Sequence, residues 1–288
     1  MWFRRIATAA VFVLSGLCSG FSQETATCTF KYFQLPTKFY SQTIPWGINR
    51  YGTVVGIARG SSDRAFIRYS DGTTKIWLPP GAGSSWFYRR NASGVTVGGY
   101  RVSNTGHAIV YYGGNSYTEI RYPGASETAV YGINAFGSLV GIYIDSSTTA
   151  VHGFRTKSNK FIPFDYPGAI DTYAQAISDT GVIVGYFFMD RTTAARAFIY
   201  KNGIFTAYDY PATGAATTFN DINANGEIAG RNLTSGESGF IFKDGVFRTV
   251  VAPSGPNLRA VGINDYGVIT GELFNSARYG QGYTATCK

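Results

Sequence analysis

Four aspartates could supply a pair of carboxylates for hydrolysis. Asp165 and Asp209 each precede a Tyr-Pro dipeptide in two neighbouring repeated segments. Asp145 and Asp190 lie earlier in the same two segments, also at equivalent places. Two carboxylates that face one sugar ring can hydrolyse a glycosidic bond, one as general acid and the other as base or nucleophile. Acids that recur in turns, however, usually accept hydrogen bonds from the backbone. We interpret all four in this structural way and predict no catalytic residue.

The two histidines, His107 and His152, also occupy equivalent places. A zinc site would need further ligands at suitable spacing, and the sequence shows none. A Ser-His-Asp triad would need a nucleophile on a sharp strand-to-helix turn, which is also missing. We therefore assign both histidines to the fold, and we predict neither a metal site nor a cofactor.

Arginines in variable loops are the candidates for ligand binding. The repeated segments differ most in one set of loops, and Arg191 and Arg231 lie in two of them. We expect a glycan or an envelope protein as partner of a non-catalytic binding or scaffold module. The alternative is a secreted carbohydrate-active enzyme, a glycoside hydrolase or lyase with its carboxylates on one face. For that alternative, Glu227 and Glu272 are expected to lie nearest the centre of the molecule.

A repeated pattern positions these residues. Six anchor residues recur at intervals of 42, 43, 44, 45 and 41 residues: Asn49, Asn91, Asn134, Ser178, Asn223 and Asn264. Each anchor is followed by one glycine three residues later and by another seven residues later. A fixed period in this range indicates a repeat architecture. Because Asn side chains form turns and tolerate left-handed backbone, we assign the anchors to turns of the fold.

Each repeat is predicted to form four short strands. In the unit that begins at Asn134, the strands are Ser138–Ile144, Val151–Arg155, Lys160–Asp165 and Thr172–Ile177. The second and third strands are joined by residue pairs that favour two-residue hairpin turns: Asp71-Gly72, Gly113-Gly114, Ser158-Asn159, Asn202-Gly203 and Asp244-Gly245.

Six such units predict an all-β chain that folds as a six-bladed β-propeller. A four-stranded unit cannot bury both of its faces alone, so neighbouring units must stack. A linear β-solenoid is the competing architecture. We expect the strand that follows each anchor to line the narrow centre, where its glycine would permit close approach of the backbone.

The two ends of the chain are predicted to share the last blade. Cys28–Leu35 and Phe39–Trp46 precede the first anchor, whereas only Val268–Phe274 and Gly282–Thr286 follow the last one. Two strands from each end then complete the sixth blade, and this closure removes open sheet edges. A single propeller domain over residues 23–288 follows.

Cys28 and Cys287 are expected to form a structural disulfide. In the repeat alignment they fall where the other blades have the tight turn between second and third strands. In the last blade the two ends of the chain meet at this point, and a disulfide would replace the missing turn. An exported protein is in a suitable redox setting for such a bond. The alternative is two free thiols in frayed termini.

Residues 1–22 resemble a secretory signal peptide. An arginine pair precedes the apolar run Ile6–Leu17, which is too short to span a bilayer. Gly20 or Ser22 would precede the cleavage point, and Cys18 leaves lipoprotein processing as an alternative. We therefore predict a secreted or periplasmic protein with no transmembrane segment after cleavage.

The charge balance does not favour nucleic acid as a partner. The full chain carries a formal charge of +8, and removal of residues 1–22 takes away two arginines and no acid, which leaves +6. The basic residues are scattered, whereas nucleic-acid binding needs a concentrated basic face. We expect no nucleic-acid partner.

One repeat contains four characteristic segments: Gly132-Ile133-Asn134, Leu139-Val140-Gly141-Ile142-Tyr143, His152-Gly153-Phe154 and Phe164-Asp165-Tyr166-Pro167-Gly168-Ala169. On these segments the chain resembles, over about residues 28–287, the HAF-type probable extracellular repeats of bacterial exported proteins. The resemblance implies an exported, propeller-like repeat protein and implies no particular activity.

Overall fold

The computed structural model describes residues 21–212, 214, 216–233, 237–253, 257–274 and 280–288. Within these ranges the chain forms twenty-five strands and no helix, so the described chain contains no helix of the length and apolarity needed to cross a membrane. The predicted signal peptide lies outside the described residues, except for Phe21 and Ser22.

The strands form six sheets, which are the blades of the propeller. From the centre outwards, the first blade contains β3 (Tyr40–Ile48), β4 (Val54–Gly60), β5 (Arg64–Arg68) and β6 (Thr74–Trp77). The second contains β7 (Ser84–Arg90), β8 (Thr96–Val102), β9 (Thr105–Gly113) and β10 (Ser116–Ile120). The third contains β11 (Ala125–Ile133), β12 (Leu139–Asp145), β13 (Val151–Lys157) and β14 (Lys160–Pro163).

The remaining blades complete the ring. The fourth contains β15 (Asp171–Ile177), β16 (Ile183–Phe188), β17 (Arg196–Lys201) and β18 (Ile204–Tyr208). The fifth contains β19 (Thr217–Ile222), β20 (Ile228–Asn232), β21 (Ser238–Lys243), β22 (Val246–Val250) and β1 (Ser22–Ala26). The sixth contains β23 (Leu258–Ile263), β24 (Val268–Phe274), β25 (Gly280–Cys287) and β2 (Cys28–Phe33). The predicted six-bladed β-propeller, with a last blade built two-plus-two from the chain ends, is confirmed.

The strand that leads into each anchor lies innermost. These strands contact one another in sequence around the ring: β3, β7, β11, β15, β19 and β23. The strand after each anchor is second from the centre. The prediction that the strand after the anchor lines the centre is therefore wrong.

The glycine seven residues after each anchor does mark a close approach of two backbones, but within one blade. Every inner strand has a β-bulge opposite this glycine. A Cβ atom at Gly141 would lie 2.0 Å from the carbonyl oxygen of Ala129 and 3.0 Å from the Phe154 ring. The five equivalent glycines would place a Cβ atom 1.7–2.6 Å from an inner-strand carbonyl oxygen. Bulge and aromatic ring thus leave no room for a side chain.

The anchors form the predicted turns and also tie the blades together. Asn49 Oδ1 accepts hydrogen bonds from the N–H groups of Tyr51 and Thr53, both at 3.0 Å. The glycine three residues after each anchor has a φ between +71° and +85°. In addition, Nδ2 of five anchors donates to the main-chain carbonyl of the next anchor at 2.9–3.3 Å. Ser178 is too short for this bond, and its hydroxyl instead lies 3.0 Å from that of Thr180.

The hydrophobic core lies between neighbouring blades. Between the second and third blades, for example, Val97 and Val110 pack with Val130 and Phe154. Phe154 is fully buried, and burial of such a side chain contributes roughly 1.5–3 kcal/mol. Since each blade lends one face to each neighbour, the ring must close for every face to be covered.

The disulfide closes the ring as predicted. Cys28 and Cys287 are directly opposite each other in the pairing of β2 with β25. Their sulfur atoms are bonded, and their Cα atoms are 4.1 Å apart. The predicted pairing of the two cysteines is confirmed.

Strand β1 is a feature that the sequence did not predict. It pairs parallel with β22 and makes the fifth blade five-stranded. The Phe21 ring lies 5.4 Å from that of Tyr208, and Gln23 Nε2 donates to the Tyr210 hydroxyl at 2.7 Å. The predicted domain start at residue 23 therefore falls inside this strand. Its polar sequence has no apolar alternation, because it is held by backbone pairing at a blade edge.

Candidate functional site

An ion pair closes the central channel. Arg89 comes from the second blade and Asp221 from the opposite, fifth blade, and Arg89 Nε lies 3.1 Å from Asp221 Oδ1. Both side chains are about nine-tenths buried, with 10% and 9% of their surfaces exposed. The guanidinium also donates to main-chain carbonyls of the first, fifth and sixth blades, at Trp46, Asn220 and Val261.

The channel has room for this pair because the equivalent residues are small. Two positions before the anchors, the other four blades have Gly47, Gly132, Ala176 and Gly262. A Cβ atom at Gly47 would lie 3.0 Å from Arg89 Cδ, and one at Gly262 would lie 3.0 Å from Gly47 Cα. Four small residues, one Arg and one Asp thus form the narrowest ring, which we call the plug.

The plug separates two chambers. On the anchor side is a cavity of about 130 Å³, lined by the anchors, Arg89 and Asp221. On the opposite side, the inner strands begin and the variable loops open. We call the bulge residues and the cross-strand pairs next to the plug on that side, together with Glu237, the funnel: Trp46, Trp86, Tyr88, Tyr131, Tyr173, Tyr186, Arg231, Glu237, Arg259 and Glu272.

β-Bulges and cross-strand pairs position the funnel residues. The extra residue of each bulge comes one position before the plug, and three of these are aromatic: Trp46, Tyr88 and Tyr131. The next level consists of pairs between the inner and second strands, including Trp86 with Gly99, Tyr173 with Tyr186, Thr218 with Arg231, and Arg259 with Glu272.

Aromatic rings from the first four blades form one wall of the funnel. The ring centroid of Tyr88 lies 5.3 Å from that of Trp46 and 4.9 Å from that of Tyr131. Tyr173 and Tyr186 stack at 4.6 Å. All five residues keep part of their surface exposed.

The tyrosines of the funnel are poorly solvated. Burial raises the pKa of Tyr88, Tyr131 and Tyr186, and it is the largest cause in each case. The Tyr88 phenol raises the pKa of Tyr186 as well, whereas Arg231 lowers it. These groups come from the second, fourth and fifth blades, whose inner strands belong to the ring of strands around the axis.

Charged side chains of the fifth and sixth blades form the other wall. Arg259 donates to Glu272 Oε1 at 2.6 Å and to both oxygens of Glu237. Glu272 is buried, and this burial raises the pKa of its carboxyl group, while Arg259 opposes the rise. Arg259 therefore forms hydrogen bonds with both carboxylates, and these carboxylates compensate its positive charge.

Arg231 stands beside this cluster without a hydrogen-bond partner of its own. No described residue forms a hydrogen bond with its side chain, and its Nε is buried and unpaired. Burial lowers the pKa of the Arg231 guanidinium, and the neighbouring Arg259 lowers it further, while Glu237 and Glu272 offset part of this effect. Arg231 is thus a partly desolvated cation that interacts electrostatically with Tyr186.

The structure separates the residues that the sequence singled out for binding. Arg231 lies in the funnel, on strand β20 and not in a loop as predicted, whereas Arg191 is exposed on the loop between β16 and β17. Glu272 lies in the funnel, but Glu227 lies on the anchor side, where it accepts a hydrogen bond from Asn223 Nδ2 at 2.8 Å. Glu227 and Glu272 are therefore not brought together.

The four aspartates have structural contacts. Asp145 and Asp190 accept hydrogen bonds from backbone N–H groups of their own loops at 2.7–2.9 Å, and hydrogen bonds within these loops lower their pKa. Asp165 pairs across strands with His152 at 2.9 Å, and Asp209 pairs with Arg196 at 2.7 Å.

His107 makes the matching contact, to Glu119 at 3.2 Å. Both histidines therefore belong to cross-strand pairs on the outer part of a blade. Among the described residues, no group of three or more His, Cys, Asp or Glu could hold a metal ion.

The plug and the aromatic wall were not predicted from the sequence. Arg89 counted only as part of a scattered basic surface, and Asp221 had no predicted role. Alignment of the position two before each anchor shows one Arg and one Asp among four small residues, and this was the available signal for the plug. The aromatic wall combines two different repeat positions on neighbouring strands, and no single column of the alignment reveals it.

Comparison with known proteins supports the fold alone. The chain matches no protein-family profile and no curated protein sequence. Among solved structures it is similar to a gluconolactonase from Xanthomonas campestris, with 14% identity, a TM-score of 0.53, and coverage of 86% of this chain and 88% of the other. It is also similar to TolB from Acinetobacter baumannii, with 13% identity, a TM-score of 0.54, and coverage of 82% and 64%.

A third similar structure is the six-bladed fungal lectin of Aleuria aurantia. The identity is 12%, the TM-score is 0.51, and the match covers 86% of this chain and 93% of the lectin. One of these proteins is a gluconolactonase and another is a fucose-recognising lectin, so the shared propeller does not identify a ligand.

Proposed function

We propose that the protein is an exported propeller that binds a saccharide in the funnel. The observation that carries this proposal is the wall of partly exposed aromatic rings opposite an unpaired arginine. Aromatic faces provide broad, rigid apolar contact area, which suits the C–H faces of sugar rings. Polar groups placed opposite such a wall fix the orientation of a ligand.

The fold is compatible with this proposal. The Aleuria aurantia lectin recognises fucose and is itself a six-bladed propeller. Such a likeness supports the capacity of the architecture to hold a sugar and says nothing about which sugar binds here.

Export and family membership are further parts of the proposal. The disulfide and the lack of a membrane-spanning helix in the described chain are compatible with an exported protein. The signal-like residues 1–22 and the resemblance to HAF-type repeats favour the same location, secreted or periplasmic.

A glycan array with matched variants tests the proposal. We expect the wild type to bind at least one class of glycan, and Trp86→Ala and Tyr186→Ala to lose about tenfold or more in affinity. Tyr266→Ala is the control, because this exposed aromatic residue lies on the anchor side. Binding that survives both funnel variants, or is lost in the control, would place the site elsewhere.

A carbohydrate-active enzyme is the second candidate. It is favoured by one observation, the buried Glu272 with its raised pKa beside Glu237, because a general acid needs such a pKa. The engagement of both carboxylates by Arg259 favours binding over catalysis. The enzyme would be supported if the wild type released reducing ends or unsaturated products from a polysaccharide and Glu272→Gln did not.

A further inference from the structure

The charge pattern within the funnel points to the chemistry of its ligand. Two arginines and two glutamates lie on one wall, but Arg259 takes up both glutamates through hydrogen bonds. Arg231 is left without a hydrogen-bond partner among the described residues. The net charge close to Arg231 is therefore positive, although the wall as a whole has equal numbers of positive and negative side chains.

A partly buried guanidinium without a hydrogen-bonded counterion is unfavourable. Removal of a charged group from water destabilises it unless an opposite charge and hydrogen bonds offset the loss of hydration. The neighbouring cation Arg259 increases the penalty, while the hydroxyl of Tyr186 is too weak an acid to offset it near neutral pH. Arg231 is therefore prepared for an anion that comes from outside the chain.

The neighbours of Arg231 restrict the kind of anion. A guanidinium binds carboxylates through two parallel hydrogen bonds. Tyr186, which interacts electrostatically with Arg231, stacks on Tyr173 with the ring centroids 4.6 Å apart, and this pair offers an apolar face. A ligand that uses both features has a ring that stacks and a carboxylate at its edge, as a hexuronate does.

We propose that the funnel selects an acidic saccharide, and that Arg231 binds the carboxylate of a uronic acid unit while Tyr186 contacts the sugar ring. This inference rests on the proposed function, because it needs the funnel to bind saccharides. It adds that neutral sugars bind much more weakly than their acidic counterparts.

Calorimetric titration with matched tetrasaccharides tests the inference. The probes are tetramers of galacturonate, glucuronate and mannuronate, each beside its carboxyl-reduced counterpart, which has the same ring stereochemistry without the charge. We expect the wild type to bind at least one acidic tetramer about tenfold or more tightly than the reduced form. Arg231→Gln should remove this preference, and Arg231→Lys should retain part of it.

Arg191→Gln is the matched control, since Arg191 is exposed outside the funnel, and it should behave like the wild type. Unchanged circular dichroism and melting temperature show that the Arg231 variants are folded. Equal binding of acidic and reduced tetramers would overturn the acidic specificity and leave saccharide binding intact. A preference that survives in Arg231→Gln would overturn the role of Arg231. If neither these tetramers nor any glycan of the array binds, the proposed function fails as well.

Discussion

Arg89 and Asp221 meet across the central channel, with Nε and Oδ1 3.1 Å apart. They belong to opposite blades, and Asp221 Oδ2 also accepts the N–H of Ile263 at 3.0 Å. One pair of side chains thus connects inner strands on both sides of the ring. It also forms the floor of the funnel.

The plug should contribute strongly to stability. We expect Arg89→Met and Asp221→Asn each to lower the free energy of unfolding by about 3–5 kcal/mol, because each leaves a buried charge unpaired. The double variant should lose less than the two single losses combined, since no charge then remains. Urea denaturation of the four proteins measures this coupling, and purely additive losses would contradict it.

The broken link between anchors can be restored. Ser178→Asn should allow Nδ2 to reach the carbonyl of Asn223, as the other anchors do, and should raise the free energy of unfolding by about 0.5–1.5 kcal/mol. Asn134→Ser, which removes an existing link of 3.3 Å, should lower it by a similar amount. Denaturant midpoints of both variants provide the measurement, and a Ser178→Asn protein less stable than the wild type would refute the idea.

The bulge glycines should tolerate no side chain. Gly141→Ala would force a Cβ atom to within 2.0 Å of the Ala129 carbonyl oxygen, and we expect a loss of more than about 3 kcal/mol or failure to fold. Gly83→Ala is the control, because its nearest neighbour is a carbonyl oxygen 3.9 Å away. Thermal unfolding should show Gly83→Ala near the wild type and Gly141→Ala far below it.

The disulfide should stabilise the closed ring. It spans 259 residues, so loss of loop-closure entropy in the unfolded chain contributes roughly 5 kcal/mol at most. Cys28→Ser/Cys287→Ser should therefore unfold at a lower urea concentration than the oxidised protein. The wild type in reductant should match the variant, and an unchanged midpoint in both would exclude a stabilising role.

The funnel tyrosines should make the protein sensitive to alkali. The pKa of Tyr88, Tyr131 and Tyr186 is raised in the folded state, whereas it is about 10 in the unfolded chain. Their contribution to stability is fully present below about pH 10 and is lost as the pH rises further, because only the unfolded chain releases these protons readily. Absorbance of ionised tyrosine in the near ultraviolet should rise together with the loss of the circular dichroism signal.

The sequence alone determined the number of blades, the tight turns, the shared last blade and the disulfide. These follow from short-range chemistry: the anchors and glycines such as Asn134 and Gly137 specify turns, and turns at a fixed period specify a ring. Cys28 and Cys287 could be paired because the repeat alignment showed where the two ends of the chain meet in the last blade.

Only the tertiary structure decided which strand is innermost and which side chains meet there. Residues such as Arg89 and Asp221 are 132 positions apart and come together because six blades converge on one axis. Arg231, Tyr186 and Glu272 are likewise neighbours only after the ring has closed. Burial, and not residue type, makes Arg231 an unpaired cation and raises the pKa of Glu272, and burial is a property of the assembled blades.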